Sequence, residues 1–77
     1  MKDLAFYLIS QITDQPDKVT IDENEDVSGS IKLTVHLAQE DMGKVIGKGG
    51  KTIQAIRDLV KILALKRQQH VDLQLAE

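Results

Sequence analysis

The stretch Val45-Ile46-Gly47-Lys48-Gly49-Gly50-Lys51-Thr52-Ile53 decides the fold of this 77-residue chain. Three glycines fall within four positions at its centre, so main-chain amides there can approach a bulky anion with no Cβ in the way. A helix is expected to begin directly after Gly50, and its first turn adds unpaired N–H groups and a partial positive charge. Lysines lie before, within and after the turn, at Lys44, Lys48 and Lys51. The stretch therefore predicts a phosphate-binding turn.

Two nucleotide-binding patterns are similar to this stretch, and both are rejected. Gly50-Lys51-Thr52 matches the end of a P-loop, but that motif needs a glycine where Val45 stands. A P-loop also follows a buried strand, whereas residues 40–46 are expected to be helical. The dinucleotide fingerprint fails too, because Thr52 occupies the position of its third glycine. A mononucleotide-binding fold would in addition be far larger than this chain.

The pattern that fits resembles the signature of the KH domain, Val-Ile-Gly-x-x-Gly-x-x-Ile between two helices. It is matched without departure by Val45, Ile46, Gly47, Gly50 and Ile53. In KH domains the Gly-x-x-Gly loop clamps the backbone of about four single-stranded nucleotides. A short chain of this kind is similar to the bacterial KhpA/YlqC family of single KH-domain RNA-binding proteins. The alternative interpretation is a glycine-rich helix–helix connection with solvated lysines.

Hydrophobic periodicity predicts one helix and two strands in the first half of the chain. Residues 2–13 are expected to be helical and to end before Pro16, since the residue preceding a proline disfavours helix. The apolar arc of this helix consists of Leu4, Ala5, Leu8, Ile9 and Ile12. Strand alternation follows over residues 18–22 and, more clearly, over residues 31–37, with a turn at residues 27–30 between them.

A short helix over residues 39–46, a long helix over residues 51–67 and a strand over residues 71–75 complete the pattern. The core-facing stripe of the long helix is expected to be Ile53, Ile56, Val60 and Leu63, widened by Ala55, Leu59 and Ile62. Each strand has one apolar face. The order α-β-β-α-α-β therefore predicts an α+β fold in which three helices cover one face of a three-stranded sheet.

The resemblance implies more about this architecture. Residues 31–75 supply the strand–helix–helix–strand core of a KH domain, and the preceding helix and strand resemble the type II KH arrangement. That arrangement implies a mixed sheet. The whole chain, residues 1–77, is then expected to be one KH domain.

The charge of the chain is concentrated around the loop, although the net charge is only −2. Residues 1–38 contain three cations and seven anions, whereas residues 39–69 contain seven cations and three anions. The acidic run at residues 22–26 is interpreted as a solvated strand end and turn rather than as a partner site. This distribution favours a local site for a polyanion and weakens nonspecific attraction elsewhere.

Several classes of function are excluded by what the sequence lacks. Without cysteine, neither a disulfide framework nor a cysteine zinc site can form. No apolar run is long enough for a secretory signal or a membrane span, so a cytoplasmic location and no membrane partner are expected. His36 and His70 are expected on the surface, away from any nucleophile or carboxylate pair. We therefore predict no catalytic residue, no metal site and no cofactor.

The predicted activity is binding of single-stranded RNA. Backbone amides of residues 47–50 and the Lys48 ammonium are expected to hold consecutive phosphates, while bases lie on an apolar floor formed by Val45, Ile46 and Ile53. Ile46 and Ile53 are also expected to be core residues. Arg57 is expected at the edge of the groove that holds the bases. It could contact a phosphate or a base edge there, or alternatively pair within its own helix or remain solvated. The candidate binding residues are Lys44, Val45, Ile46, Gly47, Lys48, Gly49, Gly50, Lys51, Ile53, Gln54 and Arg57.

Further partners follow from the resemblance, which implies homodimers and pairing with a second, larger KH-containing protein. Phe6, Tyr7 and Leu65 are candidate interface residues, or alternatively they cover the edge of the core. A post-transcriptional regulator or RNA chaperone is the expected role. The alternative is a protein-interaction module that keeps the KH shape without significant RNA binding, against which the charge of Lys48 argues.

Overall fold

The computed structural model describes residues 1–76 and has the predicted order of elements. Its helices are α1 (Lys2–Ser10), α2 (Met42–Ile46) and α3 (Lys51–Lys66), and its strands are β1 (Thr20–Glu25), β2 (Ile31–His36) and β3 (Val71–Leu75). Short 3₁₀ turns occupy Pro16–Lys18, Gln39–Asp41 and Lys48–Gly50. The predicted α+β class is confirmed. Within residues 1–76, no helix is both long and apolar enough to cross a membrane.

The three strands form one mixed sheet in the order β1-β2-β3. β1 runs antiparallel to β2, with Glu25 opposite Ile31, and β2 runs parallel to β3, with Ile31 opposite Val71. A parallel pair needs a long crossover, and here α2, the loop and α3 provide it. The mixed sheet implied by the KH resemblance is confirmed.

The hydrophobic core lies between the sheet and the helices. Alternate strand residues point into it, which is why β2 contributes Leu33 and Val35 with no exposed surface. Its largest fully buried side chains are Ile9, Leu33, Val35, Val45, Val60 and Leu73. The core stripe expected on α3 is confirmed, since Ile56 and Val60 are buried while Ile53 and Leu63 are partly buried.

The flank of α3 differs from the expectation. Ala55, Leu59 and Ile62 were predicted to widen the core stripe, but all three are exposed, Leu59 at 41% and Ile62 at 62%. A helix in a two-layer fold contacts the sheet along one side only. The sheet covers the core side of α3 and not this flank, so Ala55, Leu59 and Ile62 remain exposed and form an apolar ridge on the surface.

Three element boundaries also differ from the sequence prediction. The first helix ends at Ser10 instead of residue 13, and β1 occupies Thr20–Glu25 instead of residues 18–22. The predicted short helix over residues 39–46 is a 3₁₀ turn followed by α2. β1 is displaced because antiparallel pairing with β2 continues to the hairpin, which takes most of the acidic run into the strand.

The hairpin between β1 and β2 is organised by Asp26. Its carboxylate accepts hydrogen bonds from the Ser28 hydroxyl at 2.6 Å and from the amides of Ser28 and Ser30 at 2.9 and 3.1 Å. The hydrogen bond from the Ser28 side chain is the main cause of a lowered pKa of Asp26. The stabilisation that these bonds give is therefore present above the carboxyl's ordinary pKa and is lost as the pH falls through the lowered value.

Asp41 fixes the segment that follows α1. It is 1% exposed, and its two carboxylate oxygens accept the amides of Asp14 and Gln15, each at 3.0 Å. α1 has already ended before these amides, because the Ile12 amide donates to the Ile9 carbonyl, three residues back. Asp41 then holds the chain that follows in a non-helical path. Asp41 directly precedes α2, so the same carboxylate connects the N-terminal segment to the helix that enters the loop.

We expect Asp41→Ala to lower the free energy of unfolding by about 3 kcal/mol, because two backbone donors would lose a charged acceptor in a buried position. Glu40→Ala is the matched control. Glu40 is exposed and, among the described residues, accepts only the Gln15 side chain, so its removal should change the free energy of unfolding by less than about 0.5 kcal/mol. Urea unfolding at neutral pH measures both, and equal effects would contradict the role given to Asp41.

Candidate nucleic-acid interface

Gly47 is the residue at which the chain leaves α2 and turns toward α3. Its amide donates to the Gly43 carbonyl at 2.9 Å, which closes the last turn of α2. Its φ of 77° lies in the region that favours glycine, and a Cβ there would stand 2.1 Å from Thr52 Oγ1 and 2.9 Å from the Thr52 amide nitrogen. No other residue type fits this position without moving the start of α3.

The loop itself is a single 3₁₀ turn over Lys48–Gly50. The amide of Gly50 donates to the Gly47 carbonyl at 3.2 Å, and the amide of Lys51 donates to the Lys48 carbonyl. Gly49 has a φ of 66°, and no atom lies within 4 Å of the place where its Cβ would be. The outer side of the turn is therefore open to solvent.

Two amides of this turn are free to bind a ligand. The sequence prediction gave that role to all four residues of 47–50, which is wrong for Gly47 and Gly50, whose amides have acceptors within the protein. Across residues 1–76, the amides of Lys48 and Gly49 have no hydrogen-bond acceptor. They are neighbours in the chain and belong to exposed residues, so both donors remain available at the same turn.

The lysines around the loop are not equivalent. Lys48 and Lys51 are exposed, and in the described part of the chain neither has a carboxylate oxygen within 4 Å. Lys44 forms an ion pair with Asp14, on the segment held by Asp41. Lys48 and Lys51 are thus available to an incoming anion, whereas Lys44 must first leave Asp14.

The apolar floor predicted from Val45, Ile46 and Ile53 needs one correction. Val45 has no exposed surface and belongs to the core, so it cannot contact a ligand. Ile46 was expected in the core but is 37% exposed, and Ile53 is partly buried against the core. Adjacent helical residues lie 100° apart, so Val45 and Ile46 cannot share a face. Ile46 and Ile53 remain as the apolar surface beside the loop.

The two polar candidates on α3 already have partners inside the protein. Gln54 Nε2 donates to Asp58 Oδ1 at 2.9 Å, within the same helix. Arg57 Nη2 lies 3.6 Å from Asp72 Oδ1 on β3, so its partner comes from the sheet and not from its own helix. Arg57 Nε is buried and has no hydrogen-bond partner among residues 1–76, which leaves the guanidinium incompletely satisfied.

Sequence reasoning missed the acidic partners of the site. Asp14 pairs with Lys44, and Asp72 lies within 4 Å of both Arg57 and Lys61. No local pattern indicates such pairs, because their members are far apart in the chain and meet only in the folded protein. These pairs reduce the positive charge that the loop region presents.

The histidines lie on the surface, as predicted. His36 Nε2 is 2.9 Å from Asp22 Oδ2 on the open face of the sheet, and His70 is exposed just before β3. Within residues 1–76, no three His, Cys, Asp or Glu side chains are grouped so that they could hold a metal ion.

Comparison with known families bears directly on this geometry. The family model described as "KhpA/KhpB, KH domain" matches residues 2–75, which include every helix and strand and the whole loop. The chain belongs to the KhpA/KhpB KH-domain family. The resemblance found from the loop signature is thereby confirmed.

Relatives of the KhpA/KhpB family match over nearly their full length. A protein of Halalkalibacterium halodurans named RNA-binding protein KhpA is 40% identical over 78 residues, covering 100% of both chains. Proteins of the same name from Caldanaerobacter subterraneus subsp. tengcongensis and Chlamydia caviae are 44% and 41% identical, covering 92% and 100% of this chain and 93% and 97% of their own.

A solved structure shares the fold of this KhpA/KhpB family member. Era of Aquifex aeolicus superposes on 95% of the chain with a TM-score of 0.65, at 18% sequence identity. The matched region is 28% of the Era chain. At this identity the likeness concerns the fold alone.

We expect Gly47→Ala to lower the free energy of unfolding by more than about 2 kcal/mol, because the new Cβ overlaps Thr52 and the backbone is strained. The matched control is Gly43→Ala, in α2, where no atom lies within 4 Å of the added Cβ. That variant should be as stable as the parent or up to about 1 kcal/mol more stable. Thermal unfolding followed by circular dichroism compares them, and equal stabilities would contradict the steric role of Gly47.

Proposed function

We propose that the chain is an RNA-binding protein in which the turn Lys48–Gly50 holds the backbone of single-stranded RNA. The observation that carries this proposal is the pair of adjacent amides, at Lys48 and Gly49, that have no acceptor among residues 1–76 and belong to two exposed residues. Membership of the KhpA/KhpB family and the name RNA-binding protein KhpA of its relatives support it. The whole chain acts as one KH domain, and its activity is binding, not catalysis.

The proposed contact is electrostatic and uses the main chain first. The amides of Lys48 and Gly49 donate to one phosphate, and the ammonium groups of Lys48 and Lys51 approach that phosphate and its neighbour. The first turn of α3 adds a partial positive charge at the same place. Bases lie over Ile46 and Ile53, and Arg57 is close enough to the edge of this surface to meet a phosphate or a base.

Binding at this site should be weak and tolerant of sequence. Stacking on an aromatic side chain contributes about 1–3 kcal/mol per base where it occurs. Phe6 and Tyr7, the only residues of the phenylalanine, tyrosine and tryptophan class in the chain, belong to α1. A weak grip of this kind suits an RNA chaperone or a post-transcriptional regulator that samples many transcripts.

Two copies of the chain, in our proposal, associate through the apolar ridge of α3, formed by Ala55, Leu59 and Ile62. The three residues lie on one flank of the helix, and small Ala55 lets a second helix approach closely. A two-fold axis would bring the same ridge of both copies together. Two loops on one RNA then raise avidity without new contacts. Pairing with a second KH-containing protein through the same ridge is the heterodimeric form of this proposal.

The loop is tested by the double variant Lys48→Asp and Gly49→Asp. We expect it to remain folded and to lose at least tenfold in affinity for a ten-nucleotide single-stranded RNA, measured by fluorescence anisotropy. For the parent protein, two or three neutralised phosphates predict a slope of log K against log salt of about −1.4 to −2.1.

The control for this variant makes the same changes at a distance. Lys18→Asp with Gly29→Asp alters an exposed lysine and a glycine of positive φ that belong to the 3₁₀ turn before β1 and to the hairpin, and it should keep its RNA affinity within about twofold. Unchanged affinity in the folded loop variant would remove the loop from the mechanism. An unmodified protein without salt-dependent RNA binding would favour the protein-interaction module. Equal affinity for single-stranded DNA would show that the site binds single strands without a preference for RNA.

The proposed dimer is tested by Leu59→Asp. We expect this variant to be monomeric at concentrations at which the parent is dimeric, because a charge would be buried at the centre of the interface. Val27→Asp is the matched control, since Val27 is also an exposed apolar residue but lies in the hairpin between β1 and β2, away from α3. Size-exclusion chromatography with light scattering decides, and a monomeric parent at every concentration would contradict the proposal.

A further inference from the structure

A stripe of side chains leads along α3 away from the loop. Arg57, Lys61 and Leu65 are spaced four residues apart, so they follow one another along one side of the helix. Arg57 Nη2 and Lys61 Nζ lie 3.6 and 3.7 Å from the same oxygen of Asp72. The stripe therefore runs beside β3, and its cationic part is continuous with the surface next to the loop.

The stripe ends in a cleft of about 340 Å³ between the second half of α3 and the first residues of β2 and β3. Ile31, Leu65 and Val71 form its apolar walls, and Lys61, His70 and Asp72 supply polar groups. The cleft is open to solvent on one side, since Lys61, Leu65 and His70 are exposed, and its apolar walls with a few polar groups are suited to one planar ring. Its polar groups combine a cation, an imidazole ring and a carboxylate.

The end of α3 determines where His70 stands. Gln68 has a φ of 60°, and the amides of Gln68 and Gln69 donate to the carbonyls of Leu65 and Ala64, each at 2.9 Å. This is a Schellman ending, in which glycine is the usual residue at the left-handed position. The tight turn returns the chain at once, so that His70 borders the cleft and its carbonyl accepts the Ile31 amide at 2.8 Å.

We propose that this cleft is a second subsite that holds one nucleobase of the RNA strand gripped by the loop, a proposal that rests on the function proposed above. The His70 ring stacks on the base, as histidine does in other RNA-binding proteins. Lys61 meets a phosphate of the same strand. The Asp72 carboxylate accepts from an exocyclic amino group, which favours adenine or cytosine over uracil.

The distance between the two sites sets the length of RNA that uses both. Leu65 lies fourteen residues after Lys51, so it is about 21 Å from the start of α3 at a rise of 1.5 Å per residue. A loop of this type clamps about four nucleotides. A strand of four nucleotides bound at the loop therefore leaves the cleft empty, whereas a strand of ten reaches it.

The test is His70→Ala, with His36→Ala as the matched control, because His36 is the other exposed histidine and lies on the open face of the sheet. Affinities are measured with oligoadenylates of four and ten nucleotides at equal salt. We expect His70→Ala to lose about tenfold with the ten-nucleotide strand and less than twofold with the four-nucleotide strand. His70→Phe should restore the loss, since a phenyl ring also stacks, and oligouridylate should bind the parent more weakly than oligoadenylate.

The other possible results of these measurements separate the cleft from the loop site. Loss of affinity in the loop variant together with an unchanged His70→Ala would overturn the cleft and leave the loop site standing. Equal loss at both lengths, or no recovery with His70→Phe in a protein of unaltered unfolding temperature, would show that His70 supports the fold and does not stack. If both variants bind RNA like the parent, the loop and the cleft fail together.

Discussion

The chain must pass from α2 to α3 through four residues, and the rest of the site depends on how it does so. Gly47 closes α2 with its amide and, having no side chain, lets Thr52 approach to a distance that any Cβ would block. Because the turn is this tight, Lys48 and Gly49 are lifted out of both helices and keep their amides free. The same steric condition thus packs two helices together and creates the two donors.

The second constraint on the site is charge. Asp14 and Asp72 engage Lys44, Arg57 and Lys61, so of the three lysines beside the loop only Lys48 and Lys51 are unpaired in the described part of the chain. Exposed ion pairs contribute little to stability, and a phosphate can replace their carboxylates at small cost. The expected outcome is a site that binds a polyanion modestly, with the shallow salt dependence of two or three phosphate contacts.

Most of the fold could be predicted from the sequence. Apolar and polar residues alternate clearly at residues 31–37 and 71–75, and the apolar residues of α3 recur with the period of a helix. The loop was predictable from its glycines. The exposure of Leu59 and Ile62 was not, since an apolar residue beside a stripe looks the same whether a neighbour covers it or not. Nor does sequence distinguish the amides of Gly47 and Gly50, which are satisfied within the turn, from the two that are free. The acidic partners Asp14 and Asp72 come from distant segments, and only the fold brings them to the site.

A titration of the isotopically labelled protein with a ten-nucleotide single-stranded RNA, followed by backbone amide NMR, tests the central claim most directly. The account predicts that the Lys48 and Gly49 amide protons move downfield by more than those of Gly47 and Gly50, since only the first two gain an acceptor. Saturable binding that leaves the Lys48 and Gly49 signals in place while amides elsewhere shift would contradict it.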